Sequence, residues 1–302
     1  MTVLRVHPEV VEALAASRPV VALESTIFSR LGLPDPEGRE CLARVSAAIR
    51  GEGVLPALTC VLDGVARVGL DPDDVERILE ATAKVAERDL PGAVARRLTA
   101  GATTVSAATA LAARAGIEFF ATGGIGGVHR GAAESGDVSA DLGALARHPV
   151  VVVSSGAKAF LDLPRTLEAL ESASVPIAGF GTDEFPAFWS RSSGLPLPVR
   201  VDGAEEAAAF VRAARALGWP GGILFANPVP AEAEIPAEEI AAAIAEGLAE
   251  ASRGQVRGAA VTPVVLAAIG RATAGRSISA NLALAESNAR VAARIARALR
   301  TS

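Results

Sequence analysis

Pro149-Val150-Val151-Val152-Val153-Ser154-Ser155-Gly156-Ala157-Lys158 reads as a short buried strand that runs into a tight loop of small residues and ends on a lysine. An unbroken apolar run of this length fits a parallel strand covered on both faces. Outward from it, strand-like and helix-like stretches alternate along most of the chain. Val20 to Glu24, Val54 to Leu62, Ile117 to Ala121, Val175 to Phe180 and Ile223 to Ala226 read as strands. Glu37 to Arg50, Pro72 to Arg88, Thr103 to Ala115, Val138 to Arg147, Ala204 to Leu217, Ala237 to Ala251, Thr262 to Thr273 and Ser279 to Leu299 read as helices. Alternation on this scale predicts an α/β fold, a three-layer α/β/α sandwich with a largely parallel or mixed central sheet. No Pro/Ser-rich linker and no internal repeat divides the chain, so residues 1–302 are expected to form a single domain.

Composition narrows the class of partner. The chain has 302 residues, 50% of them hydrophobic, enough for a sizeable core. A formal net charge of −5 provides no general basic field for nucleic acid, while leaving room for a local positive pocket that takes a small anion. Cys41 and Cys60 have no CxxC spacing, which points to two reduced core thiols and neither a disulfide framework nor a structural zinc site. The first residues lack the apolar core of a signal peptide, and no later run has the length of a membrane span. A soluble cytoplasmic protein without nucleic-acid or membrane partners is the expectation.

Four features carry chemistry. Lys158 leaves a buried strand into a loop of small residues; desolvation there disfavours the ammonium form and frees an amine that can attack a carbonyl or sugar carbon. The other reading is a strand-end lysine that snorkels to water. Glu24 ends the apolar run Val20-Val21-Ala22-Leu23, at the carboxyl end of a strand where open α/β sheets form their ligand crevice. Burial raises a carboxyl pKa, so Glu24 can hold a proton and donate it, or it can pair with a structural arginine. Thr122-Gly123-Gly124-Ile125-Gly126-Gly127-Val128-His129-Arg130-Gly131 has five glycines in ten residues, a loop whose N–H groups can cradle an oxyanion or which simply turns. It matches neither GxGxxG nor GxxxxGK[ST]. Finally, Asp137-Val138-Ser139-Ala140-Asp141 brings two carboxylates together, in an extended segment or at i,i+4 of a helix. Such a pair suits Mg²⁺ or Mn²⁺, or serves the first turn of a helix.

Together these motifs resemble one family. Val21-Ala22-Leu23-Glu24-Ser25-Thr26, Arg88-Asp89-Leu90-Pro91, Gly101-Ala102-Thr103-Thr104-Val105, Ala121 through Gly131, Asp137 through Leu142 and Gly156-Ala157-Lys158 are similar to pseudouridine-5'-phosphate glycosidases. The likeness continues through Pro186-Ala187-Phe188, Ala226-Asn227-Pro228-Val229-Pro230, Thr262-Pro263 and Asn281, covering nearly the whole chain in order. The resemblance implies a lyase-class glycosidase that cleaves pseudouridine 5'-phosphate reversibly to uracil and ribose 5-phosphate, in a cytoplasmic, Mn²⁺-dependent homotrimer. By position it makes Lys158 the nucleophile, Glu24 the proton donor and Asp137 the Mn²⁺ ligand. Lys84, Val105, Ser139, Ala140 and Asp141 match substrate-binding positions, and His129 and Asn281 match positions near the base.

The chemistry accounts for these residue types. The base is joined to C1' through carbon, so protonating a glycosidic heteroatom, as two-carboxylate glycosidases do, cannot release it. An amine bonded to C1' supplies the missing electron pair and leaves a Schiff base for water to hydrolyse. Two alternatives stand beside this one: a related carbon-nucleoside phosphate lyase or synthase acting on another base, and a noncatalytic phosphosugar sensor.

Overall fold

The computed structural model describes residues 3–256 and 261–300, apart from the side chains of 261–263. The Thr262-Pro263 motif therefore lies outside the described side chains. Along the chain run β1 (Leu4–Val6), α1 (Pro8–Ala15), β2 (Val20–Leu23), α2 (Glu37–Gly51), β3 (Leu55–Leu62), β4 (Val65–Val68), α3 (Pro72–Leu79), β5 (Ala83–Val85), α4 (Leu90–Ala95), β6 (Ala100–Thr103), α5 (Val105–Ala115) and β7 (Phe119–Ala121). The second half continues through α6 (Ala132–Ser135), α7 (Ala140–Arg147), β8 (Val151–Ser154), α8 (Leu163–Ser172), β9 (Ile177–Phe180), β10 (Arg200–Val201), α9 (Ala204–Ala216), β11 (Ile223–Ala226), α10 (Ala237–Arg253), α11 (Val261–Ala272) and α12 (Arg276–Arg300).

The strands form one mixed sheet in the order β1-β4-β3-β2-β7-β8-β11-β9-β10, with β6 on β3 and β5 on β6. From β3 to β10 the neighbours are parallel, and every residue of β2, β7, β8 and β11 is buried, as strands covered on both faces require. Helix α12 packs on β2, β7 and β8 and against α2 and α9, while α5 packs on β2, β3 and β7 and against α7. Alanine makes the close approach of α5 possible: Val105 through Ala112 is buried without a break. Among the described residues no helix is long and apolar enough to cross a membrane.

Strand β3 belongs to two pieces of sheet. Leu55 to Leu58 pair in parallel with β2, whereas Thr59 to Leu62 pair antiparallel with β4 and Cys60 to Leu62 with β6. The antiparallel return to β4 is a two-residue hairpin through Asp63 (φ 52°) and Gly64 (φ 76°), the left-handed pair that matches strand twist. The sequence showed Asp63-Gly64 between apolar runs, yet β4 was not among the expected strands, and neither were β1, β5, β6 and β10.

The expected helix from Pro72 to Arg88 is corrected. It stops at Leu79; Ala83–Val85 is a strand parallel to β6, and Glu87–Asp89 is a single 3₁₀ turn. Three residues of ladder to β6 override the helical tendency of this stretch, and the pairing moves Lys84 from a helix to a strand, opposite Ala102. Likewise Thr103 ends β6, and α5 begins two residues later behind its N-cap, Thr104.

The two pieces of sheet are tied by buried hydroxyls. Thr103 Oγ1 donates to the Thr59 carbonyl (2.8 Å), Thr59 Oγ1 donates to the Leu23 carbonyl (2.9 Å), and Ser25 Oγ accepts from Thr103 N (2.9 Å). Replacing Thr103 by the isosteric valine removes the hydroxyl and leaves the buried Thr59 carbonyl without its donor. Thr103→Val is expected to lower unfolding free energy by about 1–3 kcal/mol in urea titrations, with an unchanged denaturant slope.

Candidate active site

The chain leaves β2 for β3 on one side and later returns to β7 on the other, so strand order reverses at the β2/β7 boundary. Crevices at the carboxyl ends of strands at such a reversal are where open α/β sheets take ligands. Glu24 follows β2 there and is 8% exposed. Its Oε1 accepts a hydrogen bond from Thr122 Oγ1, the first residue beyond β7. Backbone N–H groups of Ser25 and Thr26 both donate to the Thr103 carbonyl (3.3 and 3.1 Å), which fixes the turn after Glu24. Burial pushes the Glu24 carboxyl above its ordinary range, and Asp141 adds to the rise; Lys158, the Thr122 hydroxyl and Lys84 oppose it without prevailing. The proton that Glu24 was expected to hold is thus favoured by its surroundings.

Lys158 is half-buried and closes the loop after β8. Its N–H donates to the Ile125 carbonyl (3.2 Å), and the Ile125 N–H donates to the Gly156 carbonyl (3.0 Å), so the lysine loop and the glycine loop brace one another. Gly156 has φ 70°, and a Cβ there would strike the Pro186 carbonyl, which explains the glycine on both counts. Lys84 comes from β5. The residue as a whole stays open to solvent, but protein around its ammonium drives its pKa down, and the neighbouring charge of Lys158 does so further, against Asp141 and Glu24. Burial thus favours the neutral amine at Lys84, a residue for which the sequence reading drew no such expectation. Glu24, Lys158, Lys84 and Asp141 lie within electrostatic reach of one another.

Part of the glycine loop, expected to cradle an anion, is tied to the protein itself. Its N–H groups at Ile125, Gly126, Val128 and His129 donate to the Gly156 carbonyl, Asp141 Oδ2, Thr166 Oγ1 and the Asp137 carbonyl, all within the protein. Close packing explains its glycines instead: a Cβ on Gly124 would sit 2.6 Å from the Phe188 ring, and one on Gly126 would be 2.8 Å from Asp141 Oδ2.

Asp137 and Asp141, expected to meet, have separate surroundings. Asp141 is buried and accepts from Ser106 N (2.9 Å) at the start of α5 and from Gly126 N (2.8 Å), joining helix and loop. Ser139, not an aspartate, caps α7, its Oγ accepting from Asp141 N (3.2 Å), and Ala140 is the exposed first residue of that helix. Asp137 is partly exposed, with Oδ2 3.8 Å from His129 Nδ1. Among the described residues no three His, Cys, Asp or Glu side chains are grouped to hold a metal ion. A lone carboxylate beside an imidazole fits a hard divalent ion that keeps most of its waters or takes substrate oxygens.

Val105 is buried at the start of α5. Asn281 Oδ1 accepts from Trp189 Nε1 (2.8 Å), and Trp189 meets Phe188 edge-on at 4.8 Å, which links Asn281 to the packing under Gly124. Sequence reasoning passed over Thr122 as the partner of Glu24 and Asn288 beneath the loops. The legible sign of Asn288 was a polar residue interrupting the apolar face of α12 between Leu284 and Val291.

The Glu24 shift has a measurable consequence. A carboxyl whose folded-state pKa is raised contributes stability that is complete below the unfolded value and is lost as pH rises through the folded one. Glu24→Gln cannot ionise. Its urea midpoint relative to that of the unchanged protein is expected to climb from acid to mildly alkaline pH, and a flat or falling difference would contradict the burial account.

Comparison with known proteins agrees with this geometry. The model of the family described as indigoidine synthase A like protein matches residues 9–298. A pseudouridine-5'-phosphate glycosidase of Methylobacterium nodulans is 53% identical over 295 residues, 97% of this chain and 87% of that protein. The one from Paracoccus denitrificans is 50% identical over 302 residues, 99% of each. Among solved structures, the prealnumycin C-glycosynthase AlnA in complex with ribulose 5-phosphate superposes with TM-score 0.92 at 37% identity, covering 100% of this chain and 98% of that one. An indigoidine synthase A-like protein of Thermotoga maritima gives 0.86 at 37%, covering 98% and 96%. The chain therefore belongs to the indigoidine synthase A-like family, together with the pseudouridine-5'-phosphate glycosidases that it matches along nearly its whole length.

Proposed function

We propose that this chain cleaves the carbon–carbon glycosidic bond of pseudouridine 5'-phosphate, reversibly, to uracil and ribose 5-phosphate through a Schiff base on Lys158. The observation that carries the reading is a buried Glu24, its pKa raised by burial, within electrostatic reach of two lysines where strand order reverses. Relatives named for this activity at 53% and 50% identity support it, and so does a pentose phosphate bound to AlnA on the same fold.

In this reading Glu24 protonates the ring oxygen as the Lys158 amine bonds to C1'; the C1'–oxygen bond breaks and the sugar opens. The nitrogen lone pair then forms the C=N bond while the C1'–C5 bond breaks toward the base, whose negative charge spreads onto the adjacent carbonyl before C5 takes a proton. Water adds to the imine carbon, ribose 5-phosphate leaves as the aldehyde, and the amine returns. General-acid help from a positioned carboxyl contributes about 10²–10⁴-fold. Lys84, its charge set in a partly desolvated groove, binds the anionic end of the substrate. Asp137, with His129 beside it, would hold Mn²⁺, which when bound supplies Lewis-acid and templating chemistry to substrate oxygens. Asn281 and His129 address the base, and Ser139, Ala140 and Asp141 with the Val105 backbone frame the sugar phosphate. The same reading includes one Mn²⁺ per subunit, a homotrimer and a cytoplasmic location; the buried free thiols of Cys41 and Cys60 suit a reducing compartment.

Likeness to a C-glycosynthase keeps synthesis on another base as the second reading, and product analysis with pseudouridine 5'-phosphate separates the two. Borohydride with ribose 5-phosphate is expected to leave a reduced pentose-phosphate adduct that peptide mapping places on Lys158, absent in Lys158→Ala. An active protein without that adduct sinks the imine. Glu24→Gln is expected to lower kcat about 10²–10⁴-fold. Chelation is expected to abolish turnover and Mn²⁺ to restore it, except in Asp137→Ala.

A further inference from the structure

Helix α12 sends one carboxamide into the apolar surface that it lays on the sheet. Asn288 is fully buried, with Leu284, Ala285, Ala289, Val291 and Ala292 buried around it. A buried amide is costly unless bonded, and this one is fully engaged. Asn288 Nδ2 donates to the carbonyls of Thr122 (2.8 Å) and Gly123 (3.2 Å) and lies 3.1 Å from Ser155 Oγ. Its Oδ1 accepts from Asn227 Nδ2 (2.8 Å) and from Ser155 Oγ (3.3 Å). Carbonyls only accept, so the orientation of the amide is fixed. Asn227 adds a second bond to Ser287 Oγ (3.0 Å), and its N–H donates to the Ser154 carbonyl (2.8 Å).

The partners are the residues directly beyond β7, β8 and β11. Thr122 carries the hydroxyl that bonds Glu24, and Ser155 opens the loop that ends in Lys158. Because peptide units are planar and trans, turning the Thr122 and Gly123 carbonyls toward Asn288 turns the N–H groups of Gly123 and Gly124 the opposite way. An apolar residue at 288 would orphan the Thr122 and Gly123 carbonyls, so the network serves stability as well, and kinetics must separate that role from positioning.

We propose that Asn288 is a positioning residue: by clamping three strand ends from one point on α12, it sets the Thr122–Glu24 pair and the Lys158 loop at their working separation. This rests on the function proposed above. The test is Asn288→Asp, isosteric but unable while ionised to donate to the two carbonyls, with Arg294→Ala, which removes an exposed ion pair to Glu52 on the same helix, as the stability control. Folding is followed by circular dichroism and kinetics are measured well below each melting point. For Asn288→Asp, kcat on pseudouridine 5'-phosphate is expected to fall about 10²-fold with KM within about threefold. The alkaline limb of its kcat–pH profile should move upward, because a loosened Thr122 no longer favours ionised Glu24. Arg294→Ala keeps kcat and the profile. If Asn288→Asp does not fold, Asn227→Ala, which removes only the donor to Oδ1, is expected to show the same split at smaller amplitude. Unchanged kcat, a rise in KM alone, or a loss equal to the unfolded fraction overturns the proposal. An inactive unsubstituted protein overturns the functional reading with it, whereas an active one with unaffected variants overturns positioning alone.

Discussion

Ionisable groups at the ends of buried strands are tolerable only when each is answered by another, and that constraint organises the centre of this protein. Glu24 has lost most of its water and is met by a hydroxyl and two ammonium groups. Lys84 is pushed toward its neutral form by surrounding protein and by Lys158, and held back from it by Asp141, Glu24 and Asp89. Four titratable groups so placed form one electrostatic unit. Changing the charge of Lys158 or Asp141 moves the proton balance of Glu24 and Lys84.

Backbone supports that unit at close quarters. Asp141 spends its two oxygens on N–H groups of α5 and of the glycine loop, so it works as a strut as well as a charge. The density of glycine in the loop follows from steric demand at Phe188, Ser139 and Thr166. Five of the ten N–H groups from Thr122 to Gly131 are engaged within the protein.

Much of this was legible in the sequence, for physical reasons that can be named. Val20 to Leu23 and Val150 to Val153 announce buried parallel strands because both faces are covered and no polar alternation is needed. Lys158 and Glu24 were legible as polar residues with no packing reason to end such strands. Strands β5 and β6 were not: Ala-Lys-Val and Ala-Gly-Ala-Thr carry no periodicity, and only the ladder of β6 to β3 and of β5 to β6 makes them strands. Lys84 was accordingly placed on a helix, and only family likeness marked it. Asn288 was hidden because its partners lie far away along the chain, and the two aspartates were misread as a pair because their spacing says nothing of the cap at Ser139.

Strand β3 has one more implication. By serving the parallel sheet with its first half and the antiparallel piece with its second, it sets the charged residues of the crevice on two stretches of backbone. Glu24 and Lys158 stand on the first, and Lys84 is carried by the second through β6. On the function proposed above, recognition of the substrate's charged tail can drift or be redesigned by editing β5 and β6, while Glu24 and Lys158 keep their frame. A scaffold split in this way is suited to producing relatives that share one reaction and differ in what they accept.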